Sequence, residues 1–276
     1  PGLARRLVRA VDTEGRVEVV ECDTRLGLAG NWNRAIGLAR GHVVHLLHQD
    51  DFVLPGFYER ILRGFGSGAG IGMAFTRARI IDERLRRVKR ASRIRWFPGV
   101  IADWLPRIAE RQRIQTPAAV VARDTYETLG GFRPTLRQAL DWEMWVRIAA
   151  TFPVWYDPHS LAVYRRHQGN ESSRLFRTGQ LWPDIALAIG INAEALPADL
   201  RDRATEASVR WHAASALRTV ERLLAAGEAE KAAETLAQIP GLLRLLGDRP
   251  LRSGRAVQRR LTALRTRVAG AGRRVA

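Results

Sequence analysis

An α/β sandwich with a largely parallel sheet, continued by an all-helical region, is the fold this sequence predicts. Strand-like and helix-like stretches alternate through about residue 120, the pattern of sheets with helices on their faces. His42-Val-Val-His-Leu-Leu47 is a short continuous apolar run, as buried parallel strands show. After about residue 174 only helical periodicity remains. The expected division is therefore 1–173 and 174–276. A chain of 276 residues that is 46% hydrophobic has the material for a sizeable core.

The elements follow in order. Val17 to Cys22 alternates as a strand does. Asn31 can cap a helix that runs to Ala39 and stops at Gly41. The apolar strand ends in His48-Gln-Asp-Asp51, and Pro55 opens a helix through Phe65. Gly64 to Gly70 is glycine-rich but follows a helix, so it lacks the strand–loop–helix setting of a phosphate loop. Ile71–Ile81, Thr116–Ala122 and Val154–Val163 read as strands, with a turn at Asp157-Pro158. Residues 82–98 read as an arginine-rich surface excursion. Asp124 suits the cap of a short helix ending at Gly130-Gly131, and a longer helix is expected from about Arg137 to Ala150. Val209, Ala213, Leu217, Val220 and Leu224 mark one face of a helix closed by Gly227. A second helix covers Ala232 to Ile239. This single pair lacks the further copies a helical solenoid needs, and it reads as an accessory bundle. A basic tail follows Arg252.

The net charge is +17, and all but Lys89 and Lys231 of the 45 basic residues are arginine. The cations are spread along the chain and densest from Arg244 to Arg274, where Asp248 is the only acid. Such a tail suits peripheral contact with an anionic membrane surface. No base-reading motif accompanies it, so specific nucleic-acid recognition is not expected. Cys22 is the only cysteine, which rules out an intrachain disulfide and a cysteine-rich zinc site. No apolar stretch reaches the ~18 residues a membrane span requires.

Candidate chemistry begins at the strand end. Asp50 and Asp51 stand just past an apolar strand, where open α/β sheets bind ligands. Paired carboxylates there suit a hard divalent cation carrying phosphate oxygens. Asp51 serves equally well as a cap for the following helix.

The stretch Asn31-Trp-Asn-Arg-Ala-Ile-Gly-Leu-Ala-Arg-Gly41, followed by a strand, His48-Gln-Asp-Asp51 and Pro55, resembles the DxD region of family-2 glycosyltransferases. The resemblance implies the GT-A fold, a Rossmann-like nucleotide-diphospho-sugar sandwich. It implies that Asp50 binds Mg2+ or Mn2+ holding the donor's diphosphate. His48 stands where the family carries its first acid, near the ribose, and so departs from the pattern. Gly130-Gly-Phe-Arg-Pro134 with Ala139-Leu-Asp-Trp-Glu-Met-Trp-Val-Arg147 resembles the segment holding the family's catalytic base, here Asp141; Leu140 replaces a frequent glutamate. Trp142 is a candidate wall for the acceptor sugar, while Trp145 reads as core. Val163-Tyr-Arg-Arg-His167 resembles the family's closing segment. By that resemblance His167 approaches the metal or diphosphate, and Arg165 and Arg166 are candidate diphosphate partners through forked hydrogen bonds.

The resemblance spans roughly residues 15 to 173. No strand–helix–strand unit precedes Val17, so the nucleobase-binding start of the domain is expected to lie outside this chain. The implied activity is inverting sugar transfer from a nucleotide-diphosphate sugar to a glycan or lipid-linked acceptor. Relatives often build cell-surface polysaccharides, and a cytoplasmic location, peripheral at the inner face of the membrane, fits the lone cysteine and basic tail. Three other readings stay open: a catalytically inactive descendant, a polyanion- or membrane-binding module, and a glycoside hydrolase using two carboxylates.

Overall fold

The computed structural model describes residues 3–12, 14–167, 175–176, 179–247 and 254–272. Its strands are β1 (Val43–His45), β2 (Phe52–Val53), β3 (Met73–Ile81), β4 (Arg87–Arg90), β5 (Gly99–Val100), β6 (Ala119–Ala122) and β7 (Val154–Arg165). Its helices are α1 (Leu3–Val11), α2 (Gly27–Leu38), α3 (Phe57–Phe65), α4 (Trp104–Glu110), α5 (Arg123–Leu129), α6 (Leu140–Thr151), α7 (Leu181–Ala195), α8 (Ala198–Ala225), α9 (Ala229–Arg244) and α10 (Gly254–Gly272).

The strands form one sheet in the order β1-β6-β3-β7-β2, with β4 on β3 and β5 on β7. The fold is the expected α/β sandwich with a helical C-terminal region, but strand direction differs from expectation. Only β3 and β7 run parallel; the other described pairings are antiparallel. An apolar strand covered on both faces has the same composition in either direction, so the sequence pattern could not reveal this.

Val17 to Cys22 is not a strand. It is almost wholly exposed, and among the described residues no strand pairs with it. Asp12 holds its start, accepting bonds from the Arg16 and Val17 amides at 3.0 and 2.8 Å. Helix α2 begins four residues before Asn31, which lies exposed inside the helix instead of capping it. Gly64 belongs to α3, not to the following loop. A Cβ there would lie 2.6 Å from the Trp155 ring, so glycine lets the indole lie against the helix. Asp124 does not cap α5, whose first flanking residue is Ala122. Asp157-Pro158 makes no chain reversal: β7 continues through it, with register shifts against β3 at Thr76/Arg77 and Arg77/Ala78.

One hydrophobic core runs through the molecule, joining β3 and β7 residues such as Phe75 and Tyr156 to Trp142 and Trp145 of α6 and to Val209 and Ala213 of α8. The expected boundary near residue 173 lies outside the described residues. Helix α6 is the joint between sheet and C-terminal helices. Asp184 of α7 is 5% exposed and accepts the amides of Arg137, Gln138 and Ala139 at 2.7, 2.9 and 2.8 Å. These donors stand just ahead of α6, whose N-terminal end attracts negative charge.

Candidate active site

The turn after β1 lies against the carboxyl end of β7. After β1 the chain turns back, with the Asp51 amide donating to the His48 carbonyl at 3.1 Å. This turn gathers His48, Asp50 and Asp51, each offering an atom within 4.8 Å of the others'. Asp51 is 7% exposed. Its Oδ1 accepts the Arg165 amide at 2.9 Å, while Oδ2 faces the His48 ring at 3.4 Å. Neither Asp51 Oδ2 nor His48 Nε2, both buried, has a hydrogen-bond partner among the described residues. Buried polar atoms are nearly always satisfied, so two such atoms in one turn suit a bound cation. The carboxylate oxygens suit Mg2+ or Mn2+, while the imidazole nitrogen is a softer donor than these ions favour.

His48 is held from behind by Trp32 of α2, whose ring stacks on it at 5.1 Å. Trp32 also meets Phe132 edge-on at 4.8 Å. Phe132 is fixed in turn by Asn33, which receives the Phe132 amide at 2.7 Å and donates to its carbonyl at 2.8 Å. A Cβ at Gly131 would lie 2.3 Å from Asn33 Oδ1, so this close approach requires glycine. Arg147 completes the clamp, donating to the Leu129 and Gly131 carbonyls and to Glu143. Glu143, 1% exposed, also receives Arg133 at 3.0 Å. The Gly-Gly-Phe stretch and the arginine of α6 thus join α2 to the approach to α6. They position the site and do not line it.

Asp141 lies in the first turn of α6, partly open to solvent. Its Oδ1 receives the Trp142 amide at 2.6 Å and its Oδ2 the Thr116 hydroxyl at 3.2 Å. The dense protein around the carboxyl pushes its pKa up to about 6, against the pull of those hydrogen bonds and of His48. Tyr164 of β7 is influenced by both Asp141 and the acidic turn. Burial raises its hydroxyl pKa, and the charges of Asp51, Asp141 and Asp50 raise it further. The structure thus brings Asp50, Asp51 and Asp141 around a common tyrosine.

His167 reaches the acidic turn through Asp50, with Nε2 2.7 Å from Oδ2. It lies outside the three-residue group and orients Asp50 by this contact. His48, assigned from the sequence to the donor's ribose, stands in the cation group itself. Arg166 is exposed on Tyr164's side of the strand, where its charge opposes the rise in the tyrosine pKa. Arg165 departs from expectation. Its amide serves Asp51, but its side chain lines a separate open groove of about 560 Å³ with Phe52, Arg79, Ile81 and Leu85. Arg166 follows the last residue of β7 and is exposed.

Trp142 is not an acceptor wall. It is 2% exposed, donates through Nε1 to the Ile108 carbonyl at 2.6 Å and lies against His212 of α8 at 5.1 Å. A ring enclosed between α4 and α8 has no face to offer a sugar. Trp145 is core, as expected, at 1% exposure. Sequence reading missed Trp32, Thr116, Tyr164 and Asp184. Tyr164 was within reach, since it lies inside the quoted Val163–His167 stretch.

Residues 3–141, half of the chain, match the model of a family described as Glycosyl transferase family 2. The chain belongs to glycosyl transferase family 2. The matched segment carries the acidic turn and ends on Asp141, while β7 and His167 lie beyond it. Residues 193–243, in α7 to α9, match a second model, described as a family of unknown function (DUF6525). A curated protein of Mycobacterium tuberculosis (strain CDC 1551 / Oshkosh), "Uncharacterized protein MT1568", is 29% identical over 167 residues, covering 56% of this chain and 52% of its own length. The chain thus spans about half the length of this relative.

Proposed function

We propose that the intact protein transfers a sugar from a nucleotide-diphosphate donor to an acceptor hydroxyl with inversion, and that Asp141 is its base. The observation that carries this reading is the pairing of two environments that both act on Tyr164. The His48–Asp50–Asp51 turn suits a cation, and the Asp141 carboxyl has its pKa pushed up to about 6. A bound Mg2+ or Mn2+ would neutralise charge on the donor's diphosphate. In the reaction the acceptor oxygen bonds to the anomeric carbon, and the carbon–oxygen bond to the diphosphate breaks with its electron pair leaving on the diphosphate. The acceptor proton passes to Asp141. A base titrating near 6 is ionised at neutral pH yet stronger than an ordinary aspartate. His167 holds Asp50 in place, and Arg166 is placed to meet diphosphate oxygens.

In this reading residues 1–173 are the transfer unit and 174–276 brace it through α6. The acceptor is a glycan or a lipid-linked glycan. The setting is cell-surface polysaccharide synthesis, in the cytoplasm or at the inner face of the membrane. Among the described residues no helix is long and apolar enough to cross a membrane. Contact through the basic tail would use the exposed Arg259, Arg265 and Arg267 of α10.

The test is a panel of nucleotide sugars and glycan acceptors assayed with Mn2+, Mg2+ or a chelator. One nucleotide sugar should support transfer, which the chelator abolishes. Asp141→Asn should lower turnover by ~10²–10⁴-fold, and Asp50→Ala should remove the response to metal. Transfer that survives both substitutions overturns the proposal. So does cleavage of a glycoside without nucleotide, the behaviour of a hydrolase.

A further inference from the structure

We propose that the segment Arg84–Phe97 is a docking surface for an anionic lipid membrane. The segment carries Arg84, Arg86, Arg87, Lys89, Arg90, Arg93 and Arg95 and no acid. It ends in two adjacent aromatic side chains, Trp96 at 72% and Phe97 at 75% exposure. Leu85, at the turn into β4, is 61% exposed. Large apolar side chains scattered singly on a surface need no explanation. Two neighbouring aromatic rings set in a cationic stretch form a different pattern. Guanidinium groups match lipid phosphates, and aromatic rings settle at the boundary between headgroups and acyl chains.

The scaffold presents this surface in a fixed form. Strand β4 pairs with β3, and the Ala91 amide continues the ladder to the Ala78 carbonyl at 2.9 Å. The Ile94 amide meets the Tyr156 hydroxyl at 3.3 Å, and Gly99 and Val100 pair with β7. The segment is thus tied to the sheet on both sides of its exposed residues, so little ordering entropy remains to be lost on docking. The Arg93 guanidinium lies 3.9 Å from the Trp96 ring centroid, which sets a cation on the indole.

The basic tail is the rival surface within the chain. Helix α10 turns Leu261 and Leu264 inward, and its described residues expose no large apolar side chain. The tail offers charge alone. Arg84–Phe97 offers charge with apolar anchors, the two signals that stable membrane attachment takes.

Co-sedimentation of the chain with vesicles of phosphatidylcholine, with or without phosphatidylglycerol, tests this directly and without reference to sugar transfer. Binding is expected only with phosphatidylglycerol, and it should weaken as salt rises. Trp96→Ala with Phe97→Ala should weaken it by about ten-fold or more. Arg93→Gln or Arg95→Gln should each weaken it by about five-fold. Arg259→Gln with Arg265→Gln and Arg267→Gln should weaken it less than the aromatic pair does. The altered side chains are exposed, and circular dichroism would verify the fold. The proposal is overturned if neither vesicle binds the wild type, or if the aromatic double variant binds at full strength. It is also overturned if heparin or single-stranded RNA binds more tightly than the vesicles, because the surface is then a general polyanion site.

Discussion

Asp51 and Asp184 are buried almost equally, at 7% and 5% exposure, yet they stand in opposite conditions. Asp184 receives three backbone amides from the turn before α6. Asp51 receives one amide on Oδ1, while its Oδ2 has no hydrogen bond among the described residues. Protein alone completes the first. The second has only the His48 ring, 3.4 Å away, facing that oxygen among the described residues. A buried acid by itself therefore says little about function; the informative quantity is what remains unsatisfied. The difference lies between the two carboxylates and not between whole regions, because Trp145 Nε1 and both polar side-chain atoms of Asn192 also lie buried without a hydrogen bond among the described residues.

That contrast can be broken at Asp184. Replacing it with alanine strands three amide donors, each worth ~1–3 kcal/mol when buried and unsatisfied. Asp184→Ala is expected to cost about 4 kcal/mol in urea unfolding, and Asp184→Asn about half of that, because an amide oxygen still accepts. Since the turn leads directly into Asp141, turnover should fall more than donor affinity does. Wild-type stability in Asp184→Ala would show that the helical region does not brace the cleft.

Acidification sharpens the comparison, because each region holds one strongly displaced group. His212, packed in α8 against Trp142, is depressed to about 4, first by burial and then by Arg111. Its unfolded value is higher, so unfolding takes up a proton between these values. Its contribution is present above the usual histidine pKa and is lost as pH falls through about 4, a change of ~3 kcal/mol. Asp141 acts with the opposite sign. Its folded value, about 6, lies above the unfolded one. The stability it contributes is complete below the usual aspartate pKa and is lost as pH rises through about 6. The two slopes oppose each other in the wild type between about pH 4 and 6.

Asp141→Asn should expose this balance. Removal of the raised acid should stabilise the chain by ~2 kcal/mol at neutral pH, leaving the histidine slope in unfolding curves at stepped pH. A gain in stability with a loss of transfer is the signature of a strained functional group. A variant less stable than wild type at neutral pH would show Asp141 to be structural. In the wild type, transfer should rise with pH through about 6, as the base ionises.

Part of the candidate site was legible in the sequence. Asp50 comes after an apolar run that stops abruptly, whereas Asp141 was singled out by its resemblance to the family's Gly-Gly-Phe segment. Trp142 was misread because its spacing suits either a cleft wall or a core face, and only α8 lying over it decides between them. The groove that the Arg165 side chain lines is built with Phe52, Arg79 and Leu85, residues far from it in the chain, so no local cue marks it.

The sequence by itself determined the α/β class, the helical continuation, and the order in which acidic turn, candidate base and closing histidine occur. The first two follow from periodicity and turn residues, which act over a few neighbouring positions; the third is what the resemblance to the family's motifs implies. Only the tertiary structure decided strand direction, the gathering of three acids around Tyr164, the raised carboxyl of Asp141, and Asp184 as the lock on its helix. Each of these arises from atoms far apart in the chain that become neighbours on folding. Desolvation and hydrogen bonding depend on that proximity and leave no local pattern in the sequence.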